Sequence, residues 1–291
     1  MKRARANTPL HRRFKSPDSR TVAYRDAAYE QKENFDELFL ASNEDGRSRG
    51  ARAGSILDEP LGTVGAVVFY MVVAKGNGVM AIVNTGPPTD LTELNLAWKA
   101  FAGPRCQIKR AEIERPEQAL ARLGIDPAAV DFVLLTPLQA YTTANLPFFR
   151  NATICCSRRG WVEDIVARAP VLHVPRHLCI SDSVLQYLLF DAKDRLRLLD
   201  DEEEVCPGVR AWWAGTHHRS SMVYSFVTSV GTVMTGDCAM KYANVKGHPL
   251  GIAESIMEGE TAYRHIRKEA SIFLPLYDPE VLQRYPDGRI G

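Results

Sequence analysis

From residue 62 onward, apolar and polar positions fall into short runs that read as strands interleaved with helices. Residues 64–74 and 78–84 are two β-rich runs joined by Lys75-Gly76-Asn77-Gly78, a hairpin signal. The second run ends in Asn84-Thr85-Gly86-Pro87-Pro88, a chain reversal at the carboxyl end of a strand. Residues 89–101 then carry Leu91, Leu94, Leu96 and Trp98 among polar residues at helical spacing. A short helix is expected over 116–124, with Pro116 at its start and Gly124 at its end. Residues 131–135 and 152–156 read as buried strands from their continuous apolar character, and a helix over 159–167 follows the second. Three more strands are expected at 209–213, 223–227 and 232–235, then a helix over 251–269 and a last strand at 271–274. Residues 21–60 hold no strong period, and 42–54 read as loop. Strands alternating with helices predict an α/β sandwich, not an all-α or all-β domain.

Composition narrows the function classes more than the fold. The 291 residues are 45% hydrophobic and 24% charged, enough to bury a substantial core. A net charge of +1 offers no global attraction to nucleic acid or to an anionic membrane, so neither is an expected partner. No apolar run approaches the ~20 residues that cross a bilayer. The six cysteines (Cys106, Cys155, Cys156, Cys179, Cys206 and Cys238) form no CxxC pair, which reads as buried thiols in a reducing, cytoplasmic setting. The first twenty residues hold Lys2, Arg3, Arg5, Arg12, Arg13, Lys15 and Arg20 against Asp18 alone. This stretch reads as a mobile or strand-swapping arm, with an organelle transit sequence or a partner-contact arm as alternatives. The expected organisation is a basic arm and extension over 1–55 and a single domain over 56–291.

Several junctions carry a resemblance. These are Ala81-Ile82-Val83-Asn84-Thr85-Gly86, Leu123-Gly124-Ile125-Asp126-Pro127, and Val130-Asp131-Phe132-Val133-Leu134-Leu135-Thr136. Asn151-Ala152-Thr153-Ile154 with Gly160-Trp161, Gly208-Val209 with Gly236-Asp237, and Leu274-Pro275-Leu276-Tyr277-Asp278-Pro279 come after them in order. Collinear over about three quarters of the chain, this set resembles the metallo-β-lactamase superfamily, nearest its N-acyl homoserine lactonase-like branch. The resemblance implies a four-layer αβ/βα sandwich.

The departures bear on function. The family's His-x-His-x-Asp-His loop, which holds two metal ions, falls on Pro137, Leu138, Gln139, Ala140, Tyr141 and Thr142. The last family histidine falls on Tyr277 and the lactonase-type tyrosine on Met240. Asp237 survives, and the next-to-last histidine falls on or beside His217. The expectation is therefore no cofactor, or at most a single divalent metal held by His217 and Asp237.

What remains is a recast pocket. His217 or His218 with Asp237 can serve as a general base, and Tyr141 and Tyr277 as proton or oxyanion hydrogen-bond donors. Gln139, Thr142, Arg219, Ser220 and Met240 are the candidate substrate contacts, and Ser220 or Ser221 near a histidine is a further nucleophile candidate. Arg219 and the histidines are the expected cations beside Asp237. Each residue also has a blander role. A tyrosine at a former ligand position fills a cavity, and two adjacent histidines in a strand or loop point to opposite sides, so at most one faces the cleft. His173 and His177 read as structural, His265 as part of a solvated helix face, and the acidic run 200–204 as a solvated turn. One of Trp212 and Trp213 is expected in the core, and residues 170–205 to cover the site.

Three functions stay open. The first is a hydrolase-like enzyme acting on a small ester, lactone or amide through a metal-independent or mononuclear site. The second is a non-catalytic descendant that binds a small molecule or a partner, and the third a metal-independent lyase or isomerase. A homo-oligomer is compatible with each. A pocket plugged by Tyr141, Tyr277 and Met240 would favour the second, and an accessible polar pocket the first or third.

Overall fold

The computed structural model describes residues 35–42, 49–52, 64–104, 106–167 and 178–290. In chain order its strands are β1 (Phe35–Ser42), β2 (Arg49–Arg52), β3 (Val64–Ala66), β4 (Tyr70–Gly76), β5 (Val79–Val83), β6 (Phe132–Leu134) and β7 (Thr153–Ser157). They continue with β8 (Leu196–Leu199), β9 (Glu202–Cys206), β10 (Val209–Trp213), β11 (Met222–Thr228), β12 (Gly231–Gly236), β13 (Ile272–Pro275) and β14 (Arg289–Ile290). One leaf runs β1-β4-β5-β6-β7-β8 and a second runs β9-β10-β11-β12-β13. The two meet at the single pairing of Phe35 with Thr228.

Strand alternation builds the layers, because successive side chains point to opposite faces. In β4, Val72 and Ala74 join the core between the leaves, while Met71 and Val73 face the other way. The same split divides Ala81 and Val83 from Ile82, and Cys155 from Ile154 and Cys156. In the second leaf Met222, Tyr224 and Phe226 point inward, and Val223 points outward with Met234 and Phe273.

The helices are α1 (Thr92–Ala102), α2 (Pro116–Arg122), α3 (Ala140–Thr143), α4 (Arg158–Gly160), α5 (Asp182–Gln186), α6 (Tyr242–Val245), α7 (Ile256–Glu269) and α8 (Glu280–Arg284). Ala119 and Leu120 of α2 and Val184 of α5 cover the outer face of the first leaf. Ala262, Tyr263 and Ile266 of α7 cover the second. Helix, sheet, sheet and helix stack as the expected four-layer sandwich.

Local chemistry explains the boundaries. Asn77 and Gly78 both take positive φ, 53° and 73°, so the predicted hairpin closes on a two-residue turn that suits strand twist. Ser255 caps α7, its hydroxyl accepting from Glu258 N at 3.3 Å. That cap starts the helix at Ile256, leaving residues 251–255 as a segment that reaches into the site.

Three expectations differ from what is observed. Residues 35–42, expected within the extension, form β1 and pair with β4 along most of its length. The expected strand over 64–74 divides into β3 and β4. Val68 N donates instead to Tyr277 O at 3.1 Å and Tyr70 N to Leu276 O at 3.2 Å. Of the acidic run 200–204 only Asp200 and Asp201 lie outside a strand, at a bend: Glu202–Cys206 is the edge strand β9, held by Arg210 to Glu202 at 2.7 Å and by Arg197 to Glu203. Charge along an open edge discourages pairing with another chain. The basic arm, His173 and His177 lie outside the described residues. No helix among the described residues is long and apolar enough to cross a membrane.

Candidate functional site

Asp237 comes directly after β12, Thr136 lies just past β6 and Ser221 precedes β11, so the carboxyl ends of two strands and the start of a third converge. Asp237 is fully buried. Its Oδ1 lies 2.5 Å from Thr136 Oγ1 and its Oδ2 accepts from Ser221 Oγ at 2.9 Å. Thr136 Oγ1 also accepts from Met222 N at 3.1 Å and lies 2.7 Å from Met222 O. A hydroxyl has one proton to give. When it goes to Met222 O, the short contact with Asp237 is made by a proton on the carboxyl itself. Burial pushes the Asp237 carboxyl up to about 7, so its neutral form persists far above the usual carboxylate range.

The expected cation beside Asp237 is absent among the described residues. Arg219 Nε pairs with Glu163 and its Nη1 with Glu258, both at 2.7 Å. That guanidinium and Arg159 also lie 4.7 and 3.9 Å from the ring centroid of Trp213, whose indole N–H donates to Arg219 O at 2.6 Å. Trp213 is therefore held by stacking, while Trp212 rests on His265 of α7 at 4.6 Å.

His217 and His218 do not point apart. The residues sit in a turn with Thr216 at φ 72°, not on a strand, so period-two alternation does not apply. Both rings are buried and their centroids lie 3.9 Å apart. His217 Nδ1 stands 3.1 Å from Ile252 O, and a carbonyl only accepts, so Nδ1 carries the proton. His218 Nδ1 faces Glu254 Oε1 at 3.6 Å and its Nε2 faces the Tyr141 hydroxyl at 3.5 Å. Burial holds His217 well below the usual imidazole range, with His218 adding to it, and takes His218 down to about 3. Both rings are neutral near pH 7.

The loop that would carry the metal ligands is packed. The Thr142 hydroxyl lies 2.6 Å from Pro137 O, and its carbonyl accepts from Thr85 N at 2.8 Å. Gln139 precedes α3 and its backbone N donates to the Thr142 hydroxyl at 3.2 Å. Ser220 Oγ accepts from Leu138 N at 3.0 Å, and Ser220 N donates to Asp164 Oδ2 at 2.9 Å. Ser221 Oγ is engaged with Asp237, so neither serine hydroxyl is hydrogen-bonded to an imidazole, and the nucleophile candidate lacks its base. Gly160 fixes this approach from outside: a Cβ there would stand 2.2 Å from Ser220 Cα.

Tyr141, Tyr277 and Met240 all belong to the buried core between the leaves. Phe69 lies 5.2 Å from Tyr141 and 5.6 Å from Tyr277, and Trp98 lies 5.8 Å from Tyr141. Both tyrosine rings are thus packed within this aromatic group. Their phenols are pushed well above the usual range by burial, so they can donate but do not ionise near neutrality.

Two metal ions do not fit this donor set. Asp237 has both oxygens bound by hydroxyls, His217 Nδ1 is bound by a carbonyl, and Tyr277 is a neutral phenol. No group of three or more His, Cys, Asp or Glu side chains among the described residues is arranged to hold one ion. Sequence reasoning missed Thr136, Asp164 and Glu254. Thr136 ends one of the family-like junctions, but nothing in Gly251-Ile252-Ala253-Glu254 marks the glutamate.

No family model matches the chain, and no curated protein matches it in sequence. Solved structures do match. One is an N-acyl homoserine lactone hydrolase with the product N-hexanoyl-L-homoserine bound at its catalytic metal centre. The TM-score is 0.70 at 16% identity, over 86% of this chain and 96% of that one. A quorum-quenching N-acyl homoserine lactone lactonase gives 0.65 at 16% identity over 85% and 94%. A protein described as a probable metal-dependent hydrolase from Staphylococcus aureus gives 0.63 at 14% identity over 84% and 91%. The likeness expected from the junction sequences is thus present in the fold: the chain has the metallo-β-lactamase architecture of these lactonases.

Proposed function

We propose that this metallo-β-lactamase-fold chain works without the two-metal centre, and that its cleft binds a small molecule without hydrolysing it. The observation that carries this reading is the Asp237 carboxyl, closed off by the Thr136 and Ser221 hydroxyls. A bridging carboxylate must be ionised and must turn its oxygens to the ions. Burial drives this one toward its neutral form, and its oxygens are already bound. Tyr141, Tyr277 and Met240, packed where ligands and metal-bound water would be needed, support the same conclusion. Buried free thiols at Cys155, Cys156 and Cys238 accord with a reducing, cytoplasmic setting. The test is turnover of ester, lactone and amide panels with zinc, manganese or cobalt added. The expected result is no metal-stimulated hydrolysis, and metal-dependent turnover overturns the reading.

A second reading has one observation in its favour. Glu254, His218 and Tyr141 form a line with gaps of 3.6 and 3.5 Å, distances that a bound substrate can tighten into an acid–base relay. Such an enzyme would lose turnover in Tyr141→Phe while keeping its affinity for substrate.

A further inference from the structure

The groups of the proposed cleft are closed off from solvent. Asp237, His217, His218 and Tyr141 are each at most 9% exposed, so a ligand reaches them only after part of the wall moves. The two sides of that wall are built differently. On one side the rings of Phe69, Trp98, Tyr141 and Tyr277 pack with neighbouring centroids 5.2–6.0 Å apart, and separating them would expose apolar surface to water. On the other side the turn 215–221 reads Gly-Thr-His-His-Arg-Ser-Ser and holds no hydrophobic residue.

That turn is fastened by charge and hydrogen bonds. Arg219 reaches Glu163, in the helical turn Trp161–Val166, and Glu258 of α7, both at 2.7 Å. Glu258 also accepts from Thr216 N at 3.2 Å, and Asp164 Oδ2 accepts from Ser220 N at 2.9 Å. Thr216 O accepts from Glu254 N at 2.6 Å and from Ser255 N at 3.1 Å. Each flank meets the turn at a glycine. A Cβ on Gly160 would strike Ser220, and one on Gly259 would stand 3.0 Å from Thr216 Cγ2, so at these two points the backbones meet without interlocking side chains. The turn itself is strained, since the β-branched Thr216 is held at φ 72°. On opening, water takes over the polar bonds and the strain is relieved, while little apolar burial is lost. Segments held in this way open locally, ahead of the strands around them.

We propose that residues 215–221 form a polar lid over the cleft, fastened by Arg219, and that the lid opens as a unit to admit the ligand. This deepens the proposed ligand-binding function, naming its entry route, and rests on that reading of the cleft. β10 and β11 stay in place as the lid opens, because Ala211 and Met222 belong to the core between the leaves.

The test is native-state hydrogen exchange of the full chain at low urea. The amides of His217, His218 and Ser220 are expected to exchange almost independently of urea, and those of Val72 and Val133 with the full dependence of global unfolding. Arg219→Gln, which removes the charge, is expected to speed the three turn amides at least about tenfold. Acylation of His217 and His218 by diethyl pyrocarbonate, read by peptide mass, is expected to rise by the same factor, which ties the opening to the cleft. Turn amides that exchange only together with the strands, or exchange and acylation unchanged by Arg219→Gln, overturn the proposal. Should the variant misfold, the urea dependence of the unaltered chain decides alone. The experiment contains neither metal nor substrate, so its failure leaves the metal-free reading standing, whereas metal-stimulated hydrolysis would defeat that reading without touching the exchange result.

Discussion

Thr136 Oγ1 and Asp237 Oδ1 stand 2.5 Å apart, and the contact joins the end of β6 in one leaf to the end of β12 in the other. It crosses the sandwich, so the Asp237 carboxyl is a hydrogen-bonded tie between the sheets. The proton in that tie makes the fold sensitive to pH.

The Asp237 carboxyl sits at about 7 in the fold against 3.8 for the free group. Between those values the folded chain holds a proton that the unfolded chain has released, so Asp237 makes stability fall as pH rises across that window and level off above it. Asn presents a similar shape to the neutral acid, with an N–H for Thr136 and a carbonyl for Ser221. Denaturant unfolding of Asp237→Asn should therefore show the unaltered chain losing stability relative to the variant between pH 4 and 7, by up to several kcal/mol at ~1.4 kcal/mol per pKa unit. Taking the difference cancels other titrating groups. Parallel curves would mean that Asp237 is ionised throughout.

His218 moves in the opposite direction. Burial lowers it from 6.5 to about 3, so the unfolded chain is protonated first as pH falls. Its contribution is complete above pH 6.5 and lost progressively below. Imidazole nitrogen shifts of His218 should stay those of the neutral ring down to pH 5 while the chain remains folded. A midpoint near 6.5 would place the ring in solvent, and one above that would mean that Glu254 holds it as an ion pair.

Two buried tyrosines give a matched pair for stability. The Tyr277 hydroxyl lies beside that of Tyr141 without a hydrogen bond of normal geometry, whereas Tyr224 donates to Leu135 O at 3.0 Å. Removing an unsatisfied hydroxyl is close to neutral, and removing a satisfied one leaves an orphan acceptor. Tyr277→Phe is expected to unfold within ~0.5 kcal/mol of the unaltered chain or to exceed it, and Tyr224→Phe to lose about 1–2 kcal/mol. The reverse order, measured in urea, would show that Tyr277 carries a bond in solution.

The architecture was legible because its signals are local and repeated. The Gly76-Asn77-Gly78 turn, the apolar strand runs and the Pro116-to-Gly124 helix each arise from short-range pattern. β1 escaped notice because Phe35, Leu38 and Leu40 look unremarkable until β4 lies beside them. At the site, the absence of histidine and carboxylate residues at 137–142 could be read directly, as could Asp237 in Gly236-Asp237-Cys238. What could not be read was the direction of the pieces. The His217–His218 pair required the positive φ of Thr216, Arg219 required its distant partners Glu163 and Glu258, and Glu254 came from a segment with no motif. Contacts between residues tens of positions apart, such as Thr136 with Asp237, leave no periodic trace.

The most direct measurement is metal content by elemental analysis, on protein purified without chelator or histidine tag and dialysed against zinc and manganese, with Asp237→Ala alongside. A metal-free cleft predicts well under one ion per chain in both proteins. About one ion or more per chain, lost in the variant, would contradict it and restore Asp237 as a metal ligand.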